Sequence, residues 1–291
     1  MPRPIILTPH NPQWLEEFKK ESHLIAQALG DECVVIHHIG STAINGIKAK
    51  PVIDILPEVR DIEKIDSLNG EMVKLGYTPR GENGIPLRRF FVKDVNGVRA
   101  YHVHIFQSGN AEIARHLSFR DYLRAHSDEA KSYETLKENL ATQFDNTLDY
   151  ANAKSDFVRE MDRRASEWKA QLILHIAPVD HFRAQEKSGV YVTESLTAEG
   201  FIHCTKEPEV MLRVANRFYK NVPGDVLILV IDPRKVKAEV KYEPPAHPEP
   251  DPDSPLNSIL FPHIYGALNL DAVVEIRVAT RGEDGTFVSV E

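Results

Sequence analysis

The chain has 291 residues, 42% of them hydrophobic and 27% charged, and a formal net charge of -8. The length suits two domains of ordinary size, and the composition is that of a globular protein. Both halves are acidic, which disfavours nucleic acid as a partner, since sequence-independent nucleic-acid binders carry a basic excess. No apolar run approaches the roughly 20 residues that span a bilayer, and the first residues lack a signal-peptide core. We therefore expect a cytoplasmic protein without a membrane partner.

The first half of the chain predicts helices and strands in alternation. Apolar residues recur at helical spacing from Trp14 to Leu29, and short apolar runs typical of strands follow. Val95-Asn96-Gly97 is a hairpin turn signal. Residues 111–150 contain neither proline nor glycine, so we expect a continuous helix there and then a polar helix up to Trp168. The other predicted elements are a helix at 62–75, strands at 32–38 and 51–58, and hairpin strands at 87–93 and 99–106.

The pattern restarts near Lys169, which places a second domain after it. Pro208 suits the first turn of a helix that continues to Tyr219. The continuous apolar run at 225–231 is typical of a strand buried on both faces. The stretch 244–255 is rich in proline and acids, which predicts an exposed loop. Further strands are predicted at 172–176, 270–278 and 287–290.

A small-residue turn followed by a strand with one carboxylate is the most informative motif of the first half. Gly40, Ser41 and Thr42 form the turn, and Asp54 lies on the apolar strand that follows. Backbone N–H groups of such a turn can approach phosphates, and a carboxylate on a strand can hold the Mg²⁺ that neutralises them. The alternative is an ordinary turn or helix N-cap, for which this sequence is also common.

Two histidines share one face of the second hairpin strand. His102 and His104 are two residues apart, so their side chains point the same way. If this strand neighbours the strand of Asp54, the three side chains converge. Two imidazoles and a carboxylate suit a borderline transition metal, whereas Mg²⁺ prefers oxygen ligands. The alternative is that both histidines lie at a solvated sheet end.

A basic stripe follows on the predicted long helix. His116, Arg120 and Arg124 recur every four residues, so they lie on one face. Arginine is suited to bidentate phosphate contacts, and this stripe is therefore a candidate phosphate clamp, with Arg89 and Lys50 as further candidates. The alternative is a solvated face whose charges pair with acids on the same helix.

Several motifs of the first half agree in order and spacing with a known family. HHIGSTAINGIKAKPVIDIL, RRFF, YHVHIF and RHLSFRDYLRAHSDEAKSYETLK together resemble the GrpB family over roughly residues 3–168. That resemblance implies a fold of the polymerase-β-like nucleotidyltransferase superfamily. Active members show Gly-Ser, then Asp-x-Asp/Glu, then a third acid on a later strand. Here Leu56 stands in place of the second acid, and His102 or His104 stands in place of the third. The resemblance is therefore compatible with one divalent ion, namely Mg²⁺, Mn²⁺ or another transition metal, and not with two.

Histidines in distinctive settings mark the second half. His175, His203 and His263 lie on separate predicted strands, with Glu194 before His203 and Tyr265 after His263. Aromatic residues nearby supply flat surfaces for a planar ring. This arrangement predicts a pocket for a phosphate-bearing or nucleotide ligand. The alternative is that each histidine ends a strand and bonds to backbone.

The second half also resembles a known family. YVTESLTAEGFIHCT, VANRFYK and FPHIYGALNLDAV are similar to the domain of unknown function 952 family over residues 172–278. The resemblance implies an ADP-ribosyltransferase-like fold, a mixed α/β split-sheet architecture that binds NAD. It also implies a ribose-contacting role for His175, and His203-Cys204-Thr205 is similar to the His-x-Thr of related phosphotransferases.

Together these observations predict an α+β protein of two domains. Residues 1–168 are expected to form a nucleotidyltransferase-like mixed sheet with a helical extension, and residues 172–291 an ADP-ribosyltransferase-like domain. The leading functional hypothesis is a metal-dependent nucleotidyltransferase that uses a small nucleotide ligand and an unidentified acceptor, fused to a nucleotide- or NAD-binding domain. The rivals are a non-catalytic nucleotide or NAD sensor, and a folding accessory or interaction protein.

Overall fold

The computed structural model describes residues 5–290, apart from the side chains of Thr147 and Leu148. Residues 1–4 and 291, the outermost positions of the two predicted domains, lie outside it. The chain divides between Lys169 and Ala170 into two compact units, called here the first unit and the second unit. Trp168 is buried at the end of the first unit, and Ile173 is fully buried at the start of the second.

The first unit consists of one five-stranded sheet and six α-helices among its described residues. The strand order is β1-β2-β5-β4-β3, in which β2 and β5 are parallel and the other neighbours antiparallel. The strands are β1 Cys33–Ile39, β2 Ile53–Val59, β3 Thr78–Pro79, β4 Arg89–Val95 and β5 Val98–Gln107. The helices are α1 Gln13–Leu29, α2 Asn69–Lys74, α3 Ala111–Ala125, α4 Ser127–Gln143, α5 Thr147–Ala153 and α6 Ser155–Lys169.

Strand β2 is buried on both faces, because alternate residues pack into different apolar clusters. Ile53 and Ile55 belong to the main core, which includes buried residues of α1. Leu56 points to the opposite face and packs with Phe106 and with Ile113 of α3. The hairpin between β4 and β5 forms as expected, with positive φ at Asn96 and Gly97.

The expected continuous helix from residue 111 to 150 is wrong. The chain breaks at His126, whose backbone is extended (φ -128°, ψ 85°), and again before α5. The His126 ring stacks on Tyr122 and meets the edge of Trp168, so tertiary packing at this corner replaces helix continuity. The expected helix at 62–75 is likewise shorter: a 3₁₀ segment, Glu63–Leu68, precedes α2.

The second unit is built from antiparallel strands and short helices. Two three-stranded sheets, β10-β11-β8 and β13-β9-β6, are joined by two-stranded pairs β12-β7 and β14-β15. The strands are β6 Ile173–Pro178, β7 Val190–Tyr191, β8 Ile202–His203, β9 Val226–Ile231, β10 Glu239–Glu243, β11 Phe261–Tyr265, β12 Leu268–Asn269, β13 Val273–Val278, β14 Thr280–Arg281 and β15 Phe287–Ser289. The helices are α7 Val179–Gln185, α8 Glu194–Glu199 and α9 Pro208–Val214, and a π-helical turn, Ala215–Tyr219, extends α9.

Helices combined with mixed and antiparallel sheets make the chain an α+β protein, as the sequence predicts. Every residue of β9 is buried, as expected of the apolar run that forms it. Residues 244–254 form neither helix nor strand, and most are exposed. That the second unit is an ADP-ribosyltransferase fold stays a prediction. Among the described residues, no helix combines the length and apolarity needed to cross a bilayer.

Replacing Leu56 with alanine should destabilise the first unit by about 2–5 kcal/mol, because the side chain is fully buried and its removal leaves a cavity. Both tryptophans of the chain, Trp14 and Trp168, lie in the first unit, so urea unfolding followed by tryptophan fluorescence reports on this unit. Val73→Ala is the control, since Val73 is 53% exposed and should change stability by less than ~0.5 kcal/mol. Equal effects of the two substitutions would contradict the packing described here.

Candidate functional site

Parallel pairing of β2 with β5 brings the predicted acid and histidines together. The register places Asp54 opposite His102. The Nδ1 atom of His102 lies 3.1 Å from Oδ1 of Asp54, and Nε2 of His104 lies 3.6 Å from the same oxygen. One potential ligand atom from each residue lies within 4.8 Å of the others. The structure thus has the convergence that the alternating pattern suggests, and a role in metal binding stays a prediction.

The Gly-Ser turn lies directly against this carboxylate. Gly40 has a φ of +70°, and a Cβ atom built on it would come within 2.2 Å of Oδ2 of Asp54. Both the backbone conformation and the space therefore require glycine here. Ser41, the next residue, is half-buried at the start of a short 3₁₀ turn.

The hydroxyl of Thr42 bonds within the protein, whereas the sequence predicts a contact with phosphate. It is 2% exposed, and its hydroxyl donates to the Val52 carbonyl and lies 3.0 Å from Nε2 of His38. The His38 ring in turn stacks on Phe18 of α1. The hydroxyl of Thr42 thus points into the protein and braces the turn from within.

The arginines of the predicted stripe hold the two ends of the same loop. Arg120 donates to the carbonyl of His38 at 3.0 Å, and Arg124 donates to the carbonyl of Ala43 at 2.8 Å. Arg120 also pairs with Asp121. Helix α3 therefore fixes the turn through charge-assisted hydrogen bonds, which neither the clamp nor the solvated-face interpretation anticipates.

Arg89 is not brought to the cluster, and its neighbour Arg88 is. Arg89 pairs with Ile105 across the hairpin, so its side chain lies on the other sheet face, where it makes two 2.8 Å hydrogen bonds to Asp66. Arg88 is 5% exposed, and its Nη1 lies 3.3 Å from Nδ1 of His104. Strand alternation carries the missed signal, since residues 88 and 90 share a face and Phe90 pairs with His104.

His116 joins the cluster as a neutral ring. Its centroid lies 5.8 Å from that of His104, and Nε2 contacts the guanidinium of Arg115 at 3.1 Å. Burial and the neighbouring Arg115 charge lower the pKa of His116 to about 3. A neutral imidazole brings no positive charge to a phosphate, so the predicted cationic role of His116 does not fit. Lys50, the remaining candidate, is half-buried on the segment that enters β2.

One carboxylate carries the negative charge of this cluster. Burial raises the pKa of Asp54, but the interactions with His102 and His104 outweigh it and hold the pKa well below its usual range. Burial lowers the pKa of His104 in spite of the Asp54 charge. Because a guanidinium only donates, the Arg88 contact places the proton of neutral His104 on Nε2. That buried atom faces Oδ1 of Asp54 at 3.6 Å, which is longer than a hydrogen bond, and it has no nearer partner among the described residues.

The second unit encloses a cavity of about 770 Å³, and most of the predicted pocket residues line it. The lining includes Tyr191, Phe218 and Tyr219, which supply the expected aromatic surfaces. The predicted residues at the cavity are His175, Glu194, His203, Thr205 and His263. Tyr265 is not part of the lining; it is 36% exposed, and its hydroxyl donates to Glu243 at 2.7 Å.

Two buried polar atoms at the cavity wall lack partners among the described residues. The Nδ1 atom of His175 donates to the carbonyl of His203 at 2.7 Å, which leaves Nε2 as an acceptor with no partner. Burial lowers the pKa of His175 to about 4, so the ring is neutral. The hydroxyl of Thr205 is similarly unpartnered, and the Leu174–Thr205 bridge joins the two segments. Each residue is 3% exposed.

Comparison with known proteins gives the family. The model of the GrpB protein family matches residues 4–164, which is more than half of the chain. The chain belongs to the GrpB family. A second family model, described as protein of unknown function (DUF952), matches residues 176–276.

Relatives of this GrpB-family chain align with its first half. UPF0157 protein YqkA of Bacillus subtilis (strain 168) is 45% identical over 161 residues, which cover 55% of this chain and 47% of that protein. Glutamate-rich protein GrpB of Alkalihalophilus pseudofirmus is 36% identical and matched over 93% of its length, against 54% of this chain. The crystal structure of conserved protein GrpB from Enterococcus faecalis superposes with a TM-score of 0.53 at 39% identity, covering 56% of this chain and 98% of that one. The chain thus spans about half the length of the Bacillus subtilis relative.

Gly40→Ala should destabilise the first unit more than Gly46→Ala does. Both glycines have positive φ, but a Cβ at position 46 meets nothing within 4 Å, so this control measures the backbone cost alone. The excess at position 40, which we expect to exceed ~1 kcal/mol in urea unfolding, measures the collision with Asp54. Asp54→Ala should relieve much of that excess. Equal destabilisation by the two glycine substitutions would contradict the close approach.

Lowering the pH should destabilise the first unit partly through His38. Burial and the Arg124 and Arg120 charges lower its pKa to about 4, against 6.5 for an unperturbed ring. The unfolded chain therefore takes up a proton between these values while the folded chain does not, and stability falls as pH falls through this window. His38→Phe should make the slope shallower by up to about 1.4 kcal/mol per pH unit in urea unfolding. His23→Gln, at an exposed position of α1, is the control for removing a histidine. A wild-type slope in His38→Phe would refute this assignment.

Proposed function

We propose that the first unit binds the phosphates of a nucleotide through the Gly40-Ser41 turn and one divalent metal ion held by Asp54, His102 and His104. The fold is proposed to be nucleotidyltransferase-like, as the family resemblance implies. One observation carries the proposal: the three ligand atoms converge directly beside a turn whose glycine is packed against the carboxylate. A backbone turn and a metal ion held by a strand are two of the means by which proteins hold phosphates.

The chemistry of these residues fits a metal ion. Two imidazoles and one carboxylate suit Mn²⁺, Zn²⁺ or a similar ion better than Mg²⁺, and the buried Nε2 of His104 faces the carboxylate at 3.6 Å without a hydrogen bond of ordinary length. Ligation through this atom requires that its proton leave and that Arg88 give up its contact with Nδ1. A bound ion would supply positive charge to neutralise the phosphates. Arg120 and Arg124 support the proposal as braces that fix the turn, and Lys50 is the candidate for a direct phosphate contact.

A second candidate, nucleotide binding without turnover, is favoured by Leu56. It occupies the position of the second acid in active nucleotidyltransferases, and it is fully buried among apolar side chains on that face of β2. Two-metal catalysis needs carboxylates that bridge both ions. A leucine cannot bridge ions, so a sensing role accounts for the loss of this acid.

For the second unit, we propose that the cavity takes a nucleotide, NAD included. The support is the combination of aromatic walls with two unpartnered atoms, Nε2 of His175 and Oγ1 of Thr205. A ribose hydroxyl or a phosphate oxygen offers the hydrogen bonds that these buried atoms lack. The ADP-ribosyltransferase-like resemblance agrees with such a ligand.

Nucleoside triphosphates with Mn²⁺ should stabilise the first unit against urea, measured by tryptophan fluorescence. A ligand at 100 times its Kd adds about 2.7 kcal/mol to the free energy of unfolding. Asp54→Asn should abolish this gain, since the amide keeps the shape and loses the charge. Asp66→Asn is the matched control, because Asp66 pairs with Arg89 on the other sheet face and should leave the gain intact.

The outcomes separate the hypotheses. A gain that persists in Asp54→Asn, or no gain with any triphosphate and either Mn²⁺ or Mg²⁺, contradicts the proposed site. Pyrophosphate release in the presence of candidate acceptors supports transfer, whereas a gain without release supports the sensing role.

A further inference from the structure

A second group of metal-ligating side chains lies in the second unit, at the wall of the cavity. Oε2 of Glu199 lies 3.2 Å from Nε2 of His203 and 3.1 Å from Nε2 of His247. One potential ligand atom from each residue lies within 4.8 Å of the others. This group shares no residue with Asp54, His102 and His104 and does not depend on the function proposed for the first unit.

The backbone fixes two of these side chains. Helix α8 ends at Glu199, and Gly200 with φ +90° turns the chain back into β8, so that Glu199 and His203 meet four residues apart. Strand pairing with His263 holds His203 from one side. The buried ring of His175 donates to the His203 carbonyl and holds it from the other.

The third side chain comes from the proline-rich loop at 244–254. Arg217, on the π-helical turn, donates to the carbonyls of His247 and Pro248 at 3.0 Å each. Asn257 accepts from the backbone N–H of Glu249 at 2.7 Å and ties down the next part of the loop. Because this backbone is already held, the His247 ring faces Glu199 before any ion binds. Binding a metal ion would then cost less conformational entropy of the loop.

We propose that Glu199, His203 and His247 bind one divalent ion of the zinc class. Two imidazole nitrogens and one carboxylate oxygen are a ligand set that Zn²⁺ uses with a fourth position left open. Without an ion, one carboxylate oxygen faces two imidazole nitrogens.

An ion at this place would face the cavity, because all three residues line it. Its open position would take an anionic oxygen, such as one from a phosphate or carboxylate group of the cavity's ligand. The ion would also fasten the 244–254 loop to α8 and β8. The cavity lining also holds Arg213 and Arg217, together with the carboxylates of Asp180, Glu194 and Glu249.

Calorimetric titration of the full chain with Zn²⁺ alone tests the proposal. His247 is 53% exposed in its side chain, so His247→Gln should fold normally, and it should weaken one Zn²⁺ equivalent by more than about tenfold. His181→Gln is the control, because His181 lines the same cavity outside the group. It should retain wild-type binding. Equal Zn²⁺ binding by wild type and His247→Gln overturns the proposal.

Stoichiometry separates this proposal from that for the first unit. If both hold, wild type binds two equivalents, and His247→Gln and His102→Gln each bind one. If only the second-unit site exists, wild type and His102→Gln bind one equivalent and His247→Gln binds none. If only the first-unit site exists, His247→Gln binds as wild type does and His102→Gln binds none.

Hydrogen exchange of the 244–254 loop gives an independent readout. Zn²⁺ should slow exchange of this loop in wild type and in His181→Gln, because ligation by His247 fastens it. His247→Gln should show no such slowing. Zn²⁺ binding without protection of the loop would exclude His247 as a ligand and overturn the proposal.

Discussion

Strand β2 lies between β1 and β5, and apolar clusters cover both of its faces. Its parallel pairing with β5 sets the register that places Asp54 beside His102. A shift by one residue would turn every side chain to the other face and would bring Asp54 into the apolar main core where Ile53 and Ile55 now pack, so this register is strongly favoured. The position of the carboxylate is thus a consequence of core packing, and the histidines follow from the same pairing.

A carboxylate in this setting is stable only with close partners, since burial disfavours its charge. His102 and His104 provide them, and the turn at Gly40 closes over the other oxygen. The arginines of α3 then hold the turn by its carbonyls. The arginines near the cluster are thus engaged in fixing backbone, since Arg88 likewise donates to the carbonyls of Glu82 and Asn83. Because these guanidinium groups belong to the rigid frame, a metal ion supplies the charge for phosphates in the proposed function.

Apolar periodicity and turn residues in the sequence predict those helices, strands and turns that neighbouring residues determine. The apolar periodicity of α1, the hairpin turn at Asn96-Gly97 and the buried run of β9 all appear in the structure. The spacing of residues does not reveal the break at His126, where the ring stacks on Tyr122 and meets the edge of Trp168. Residue type alone does not distinguish Arg88 from Arg89, whereas strand alternation through Phe90 places Arg88 on the face of His104. His247 was missed for a different reason: it comes from a loop far along the chain, and only the fold brings it to Glu199.

The linker between the two units consists of few residues. The last buried side chain of α6 is Trp168 and the first fully buried residue of β6 is Ile173, so few residues between them are free of a core. A protease requires an extended, accessible segment, which is why nicking concentrates at loose loops and termini. Cleavage between the units would first have to unravel the end of α6 or the start of β6. The two units are consequently expected to resist separation by proteases that act on extended segments, and so to be present at a fixed one-to-one ratio.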